Sequence, residues 1–358
     1  MNNLFQTLSF KNGSTMKNRF ALAPLTNSQS HDDGRLSDDE FMWLTMRAKG
    51  GFGLTMTCAS HVQAIGKGFP GQLGCFSDDH LEGLTRLAAG IKAEGSIAVL
   101  QLHHAGMRSP SEEINGQAVC PSDNTETGAR ALGLEEVEQL KEDFILAAER
   151  ARNAGFDGVE IHGAHGYILC QFLSPTINQR TDQYGGSLEN RARIIFDIID
   201  GIRSRCGSDF LLGVRLSPER FDLMLPEIIE VAQRLMSDGH IDFLDMSLWD
   251  VFKEPVEKAF KGRSLLSYFT ELDRGEVRLG TAGKLRTPQD ITECFEYGLD
   301  FVMLGRAAIL HHDFPRLMSA NPAFEPISNP VTANYLRSQG LGEAFVTYMS
   351  GWDGFVEG

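Results

Sequence analysis

No two of the six cysteines, Cys58, Cys75, Cys120, Cys170, Cys206 and Cys294, form a CxxC pair. Their scatter argues against an iron–sulfur cluster, a zinc knuckle or a disulfide scaffold. No apolar run approaches the ~18 residues of a membrane span, so no membrane association is expected. Basic residues are in deficit: 33 Lys plus Arg against 48 Asp plus Glu, a formal net charge of −15. A surface that acidic repels phosphate backbones, so no nucleic acid is expected as a partner, although one local phosphate pocket is compatible with it. The N-terminal MNNLFQTLSFKNGSTMKNR lacks a charged region followed by an apolar core, so no signal peptide is read and a reduced, cytoplasmic protein is expected. Repeats, low-complexity tracts and an evident linker are missing as well.

What remains is a globular composition, 42% hydrophobic and 23% charged over 358 residues, with ample apolar content for a core. Eight short apolar runs recur: 20–25, 52–59, 97–102, 157–163, 210–216, 241–247, 277–283 and 300–305. Continuous apolar runs predict strands buried on both faces, as in a parallel sheet. Amphipathic helices are predicted between them at 39–49, 79–94, 134–154, 187–205, 224–238 and 288–297. Asp78, Ser187 and Thr287–Pro288 are the expected starts, and Gly155 the expected stop. Eight strands alternating with helices predict a single-domain α/β (β/α)8 TIM barrel over 1–358, with the tail 321–358 packing on or near it. An open doubly wound sheet would show a glycine-rich turn after the first strand, and here that turn reads PLTNSQS. The long connections 103–133 and 248–276 fall on the C-terminal face, where binding loops are expected.

Barrels place chemistry at the C-terminal strand ends. The eight runs deliver Pro24-Leu25-Thr26, Cys58-Ala59, Gln101, His162 with His165, Arg215, Asp245-Met246-Ser247, Gly283-Lys284 and Gly305-Arg306 to one mouth. Period-two alternation turns Gln101, Glu160, His162, Arg215 and Asp245 inward. Glu160 and Asp245 read as structural, for instance as a buried pair of Glu160 with Arg215. The Gly-Lys and Gly-Arg pairs on the last two loops suit a phosphorylated ligand. His162 and His165 lack a nearby acidic ligand and the helical HExxH setting, so metal binding is disfavoured. As neutral imidazoles they can stabilise charge developing on a carbonyl oxygen. Tyr167 offers a phenolic proton, and taken alone it reads equally as a packed loop aromatic.

The run HGAHGYILCQFLSPTINQRTDQYGGSLENRARI (162–194) resembles the old yellow enzyme family of FMN-dependent NAD(P)H oxidoreductases and ene-reductases. Its NxRxDxYGGSxxNR core is Asn178, Arg180, Asp182, Tyr184, Gly185, Gly186, Ser187, Asn190 and Arg191. ALAPLT (21–26), VLQLHHAGMR (99–108), GVRLSP (213–218) and FVMLGRAAI (301–309) match in the same order. The resemblance implies FMN as cofactor and NADPH or NADH as reductant. It implies Pro24, Leu25, Thr26 and Ala59 beside the flavin ring, Gln101 on its pyrimidine edge, Arg215 near N1, and Gly283, Lys284, Gly305 and Arg306 at the phosphate. His162 and His165 match the pair that binds the substrate's activating oxygen, and Tyr167 the proton donor. The implied reaction is ping-pong reduction of an α,β-unsaturated carbonyl or related activated alkene, a small-molecule partner; a homo-oligomer is admitted. A colourless barrel acting on a phosphorylated substrate, and a flavin-binding protein without activity, are the competing readings. Tyr348, Trp352 and Phe355 in the tail read as pocket cover, subunit interface or outside packing.

Overall fold

The computed structural model describes residues 3–357. Eight parallel strands close into a barrel: β1 (Phe20–Leu22), β2 (Leu54–His61), β3 (Ile97–His103), β4 (Gly158–Gly163), β5 (Leu211–Leu216), β6 (Phe243–Ser247), β7 (Arg278–Ala282) and β8 (Phe301–Leu304). Each predicted run overlaps one of them, and the second and third strands extend past their runs by two residues and one. The first is shorter than its run because Ala23-Pro24-Leu25 leaves the sheet, and proline cannot donate to a ladder. The outer helices are α1 (Asp38–Lys49), α2 (Leu81–Ala93), α3 (Leu134–Asn153), α4 (Ile168–Leu173), α5 (Leu188–Cys206), α6 (Leu225–Asp238), α7 (Pro288–Glu296), α8 (Arg306–Leu310) and α9 (Phe314–Ala320).

Helix starts follow local chemistry. Ser187 accepts from the Asn190 amide, and Thr287 forms a capping box with Asp290 ahead of Pro288. The start near 79 differs from expectation. Ser77, not Asp78, is the cap, accepting from the Asp79 amide at the head of a short 3-10 turn that precedes α2. Gly155, at φ +87°, ends α3 as expected.

The barrel interior is layered by the period-two alternation. Along β6 the inward residues are Phe243, Asp245 and Ser247, running from floor to mouth. Two strand glycines make the floor. A Cβ on Gly213 would lie 2.0 Å from the Phe243 ring, and one on Gly280 2.3 Å from the Phe301 ring. Those two rings meet at 5.9 Å, and Phe10 closes on them at 5.9 and 6.3 Å. Phe10 arrives from an N-terminal hairpin (Leu8–Ser9 with Thr15–Met16) that caps the barrel's N-terminal end and carries no periodicity long enough to be read in sequence.

After α9 the chain returns over the mouth as α10 (Ala333–Ser338) and α11 (Glu343–Ser350). Phe345 of α11 packs edge-on against Trp43 of α1 at 4.8 Å, and the Gly342 amide donates to Gln29 Oε1. Arg47 of α1, fully buried, lies 3.2 Å over the Trp43 ring and donates to the Ala308 carbonyl. These contacts fix the tail against α1 and α8.

Candidate active site

A cavity of about 490 Å³ opens at the C-terminal ends of the strands, within the range of cofactor and substrate clefts. Pro24, Leu25, Thr26, Ala59, Gln101, His162, His165, Tyr167, Arg215 and Arg306 all line it. Ala59 reaches it because a one-residue bulge after Met56 shifts the register of β2 against β3. The turn 164–167 brings the other chemistry in. His165 and Gly166 both adopt left-handed backbone, φ +60° and +70°, and fold Tyr167 back over the strand end. The ring centroids of His162 and His165 are 5.0 Å apart, and Tyr167 lies 5.1 Å from His162 and 4.3 Å from His103.

Hydrogen bonds fix the imidazole protons. The Ala164 amide donates to His162 Nδ1 at 3.2 Å, so neutral His162 carries its proton on Nε2. That nitrogen faces His165 Nδ1 at 3.2 Å, which leaves the His165 proton on Nε2, against Ser247 Oγ at 2.7 Å. Burial, with the Arg215 and Arg108 charges adding to it, holds both rings well below the ordinary histidine range, so they stay neutral. Burial raises the Tyr167 phenol, which stays protonated and makes no protein hydrogen bond among the described residues.

Beneath the mouth, Gln101 donates to Glu160 Oε1 at 2.6 Å, and Arg215 Nε lies 2.9 Å from Asp245 Oδ2. The buried pair is therefore Arg215 with Asp245, not with Glu160, as strand register dictates: Asp245 lies directly opposite Arg215. The Arg215 N–H is not aimed along that short line and finds no aligned acceptor. Burial drives both carboxyls above their ordinary range; for Glu160 the Asp245 charge adds to it. With Glu160 buried near the Asp245 charge and outside its ion pair, one retained proton is favoured.

At the far end, Gly283 sits beside the Trp249–Asp250 backbone, which a Cβ would approach to 3.0 Å. Gly305 caps α8. Lys284 turns aside: its Nζ pairs with Asp250 at 3.1 Å, and it does not line the main cavity. Arg306 instead shares an adjoining 260 Å³ cleft with Arg286. Neither arginine has an ion-pair partner among the described residues, and each lies close enough for Arg286 to lower Arg306's affinity for its proton, after burial.

Sequence reasoning missed Arg286, Arg108 and Arg220 as members of the site, whereas Ser247 stands where its strand was expected to deliver it. Arg108 and Arg220 enter from loops with no periodic signal. The tail also takes part: Tyr348, Met349 and Trp352 line the main cavity, while Phe355 is buried beside Trp352 at 6.4 Å. By contrast, none of the NxRxDxYGGSxxNR residues lines it. Asn178 Nδ2 holds the Phe172 and Tyr184 carbonyls, Tyr184 donates to Glu138, and Arg191 grips Glu227 through both terminal nitrogens. That motif braces the connection from β4 to α5. Among the described residues no three His, Cys, Asp or Glu side chains converge as a metal set, and no helix is long and apolar enough to cross a membrane.

A closed parallel barrel with imidazoles, a phenol and arginines gathered at its C-terminal mouth has the arrangement of a barrel enzyme. Comparison with known proteins gives the family. The sequence profile of the NADH:flavin oxidoreductase / NADH oxidase family matches residues 3–322, and the chain belongs to that family, the old yellow enzymes. It is 38% identical over 318 residues to a probable NADH-dependent flavin oxidoreductase of Bacillus subtilis, covering 86% of this chain and 85% of that one. It is 32% identical over 322 residues to an NADPH dehydrogenase of the same organism, covering 87% and 93%. Among solved structures, the old yellow enzyme homologue from Zymomonas mobilis superposes with a TM-score of 0.81 at 27% identity, covering 97% of this chain and 99% of that one. The protein is an NAD(P)H:flavin oxidoreductase, and FMN with NAD(P)H as reductant is the family's cofactor set.

The residues present fit FMN. The two arginines facing one cleft without a carboxylate suit a phosphate dianion. Arg215, buried with an N–H lacking an aligned acceptor, suits an electron-rich ring edge.

Proposed function

We propose that the enzyme reduces an alkene activated by a carbonyl or similar oxygen-bearing group, with Tyr167 as proton donor and His162 and His165 as the oxygen-binding pair. FMN, when bound, supplies a site that accepts hydride from NAD(P)H and returns it to the alkene. Pro24, Leu25, Thr26 and Ala59 would flank its ring, Gln101 and Arg215 its pyrimidine edge, and Gly283, Gly305, Arg306 and Arg286 its phosphate. Arg215 supplies positive charge there, and Asp245 holds it in place.

The activating oxygen of the substrate takes the His162 Nε2–H in place of His165 Nδ1. His165 becomes a second donor when its proton moves to Nδ1. Ser247 permits this, because its hydroxyl accepts from one tautomer and donates to the other. Both imidazoles are neutral, so they polarise the oxygen without surrendering a charge. Tyr167 then delivers its phenolic proton to the α-carbon. The tail residues Tyr348 and Trp352 narrow the opening and keep water from this step.

The observation that carries the proposal is the meeting of His162, His165 and Tyr167 with Gln101 and Arg215 on the walls of one cavity. The test is the visible spectrum of the purified protein under anaerobic conditions. A yellow protein that bleaches with NADPH or NADH and recolours with cyclohexenone supports it. A protein that bleaches but never recolours with any activated alkene refutes the alkene step, and a colourless one that takes up no FMN refutes the whole reading.

A further inference from the structure

The geometry points to an electron acceptor that carries a carboxylate, bound by Arg108 and Arg220 at the mouth of the cavity. This rests on the alkene-reduction reading above and names the substrate class for that same site.

Arg108, Arg215, Arg220, Lys253 and Arg306 line the cavity, and Glu219 is the one carboxylate among its lining residues. In a chain with 48 acidic against 33 basic residues, so cationic a wall is not a sample of the general surface. Most of that charge is already matched. Arg215 faces Asp245, and Lys253 is bonded to Glu219, which also accepts from the Val256 amide at 2.8 Å. Arg306 belongs to the phosphate cleft with Arg286. Arg108 and Arg220 remain, and neither has an ion-pair partner among the described residues.

Both are held by aromatic faces, which fix a guanidinium plane while leaving its edge donors free. Arg108 lies 4.8 Å over the Tyr167 ring and donates one N–H to the His165 carbonyl at 2.5 Å. Arg220 lies 4.7 Å over Trp249 and 5.5 Å from Phe221. The backbone is strained to place it there. Arg220, Phe221 and Asp222 are consecutive left-handed residues, at φ +70°, +53° and +58°, and Trp249 sits at φ +64°. Such conformations are unfavourable for non-glycine residues and persist where the surroundings impose them. The strained turn packs on the reacting turn itself: a Cβ on Gly166, between His165 and Tyr167, would come within 2.8 Å of the Phe221 ring. Both guanidiniums therefore border the position where the activating oxygen meets the histidines, and both act on His165 to keep it neutral.

Neutral imidazoles offer a carboxylate no charge. A ligand with two acceptor groups is therefore sorted: its activating carbonyl goes to His162 and His165, and its carboxylate to the arginine fork. The dinucleotide's phosphates are the other anions that visit this mouth, and separate half-reactions allow the two to be told apart.

The test uses a matched pair on the oxidised FMN holoenzyme. Levulinate (4-oxopentanoate) and its methyl ester differ by one charge and cannot be reduced at an alkene. Calorimetry gives the ratio of their association constants in wild type, Arg108→Gln and Arg220→Gln. The proposal expects the acid-to-ester ratio to fall about five- to tenfold in each variant, the size of a lost charge-assisted contact at a partly exposed site. It also expects the wild-type preference for the acid to shrink as salt rises. Equal weakening of acid and ester would mean a structural role and overturns the proposal, as does an unchanged ratio in both variants. A rise in the NADPH concentration that half-saturates flavin reduction, read by anaerobic stopped-flow and as large as the loss of levulinate association, assigns the arginines to the dinucleotide and overturns it too. Failure of the alkene reading shows separately: 4-oxo-2-pentenoate methyl ester would leave the reduced enzyme bleached, while the levulinate ratio still reports on the arginines.

Discussion

Replacing Tyr167 with phenylalanine separates the chemistry from the scaffold. The phenolic oxygen makes no protein hydrogen bond among the described residues, so its loss orphans no partner. The ring keeps its edge contact with His103 at 4.3 Å and its place under the Arg108 guanidinium at 4.8 Å. Stability should change by less than about 1 kcal/mol, because the large penalties come from unpaired buried groups and cavities, and this substitution creates neither. The proton to the α-carbon, however, loses its donor. A positioned general acid contributes about 10²- to 10⁴-fold, or roughly 3–5 kcal/mol of barrier. Reduction of the flavin by NADPH requires no carbon protonation and should stay within about twofold of wild type. Anaerobic stopped-flow at the flavin absorbance band measures the two half-reactions separately. Equal slowing of both, or an undiminished oxidative half-reaction, would refute the assignment of Tyr167.

Three further outcomes are expected. Gly213→Ala places a Cβ 2.0 Å from the Phe243 ring at the barrel floor, so thermal unfolding should show a loss of about 1–3 kcal/mol or failure to fold, whereas Gly116→Ala, exposed and with no atom nearer than 3.7 Å to the new Cβ, should show far less. Arg286→Ala should weaken FMN binding to the apoprotein about tenfold, read by flavin fluorescence, as one charge-assisted contact to the phosphate is lost. The third concerns acid. Burial depresses His61 to about 4 and His104 to about 3, and holds His103, His162 and His165 well below the usual range. The unfolded chain binds protons at these sites near pH 6.5 and the native chain does not, so stability falls as pH drops through about 6.5, by up to roughly 1.4 kcal/mol per pH unit per group. Glu40, Glu160 and Asp245, raised by burial, act in the opposite sense, but the five histidines outnumber these three carboxyls; chemical denaturation at pH 7.5 and 5.5 should give the lower midpoint at 5.5.

The barrel was legible because burial on both faces writes itself into eight apolar runs, and capping serines and threonines into the helix starts. The mouth was legible for a related reason: period-two parity on short strands fixes which side chains face inward, and it turns Gln101, His162 and Arg215 that way. Parity does not give partners, however. Glu160 and Asp245 both point inward, and only the register of β5 against β6 decides which one Arg215 meets. The most distinctive motif, Asn178 to Arg191, proved to brace a loop, so specificity of sequence and nearness to chemistry are separate properties. Arg108, Arg220 and Arg286 were invisible because they sit on aperiodic loops, where position follows from tertiary packing. Lys284 shows the reverse limit: a glycine–lysine pair on a phosphate-binding loop reads as one unit, yet the lysine's charge is taken by Asp250, seen only once the 248–276 loop is folded over it.

The central claim is that hydride stored from NAD(P)H leaves this site to saturate an activated alkene. It is tested most directly by a single turnover. The holoenzyme is reduced with one equivalent of NADPH, freed of dinucleotide, and mixed with excess cyclohexenone without oxygen. The account predicts one cyclohexanone formed per flavin as the yellow spectrum returns. Return of the colour without the saturated ketone, or a flavin that stays reduced, would contradict it.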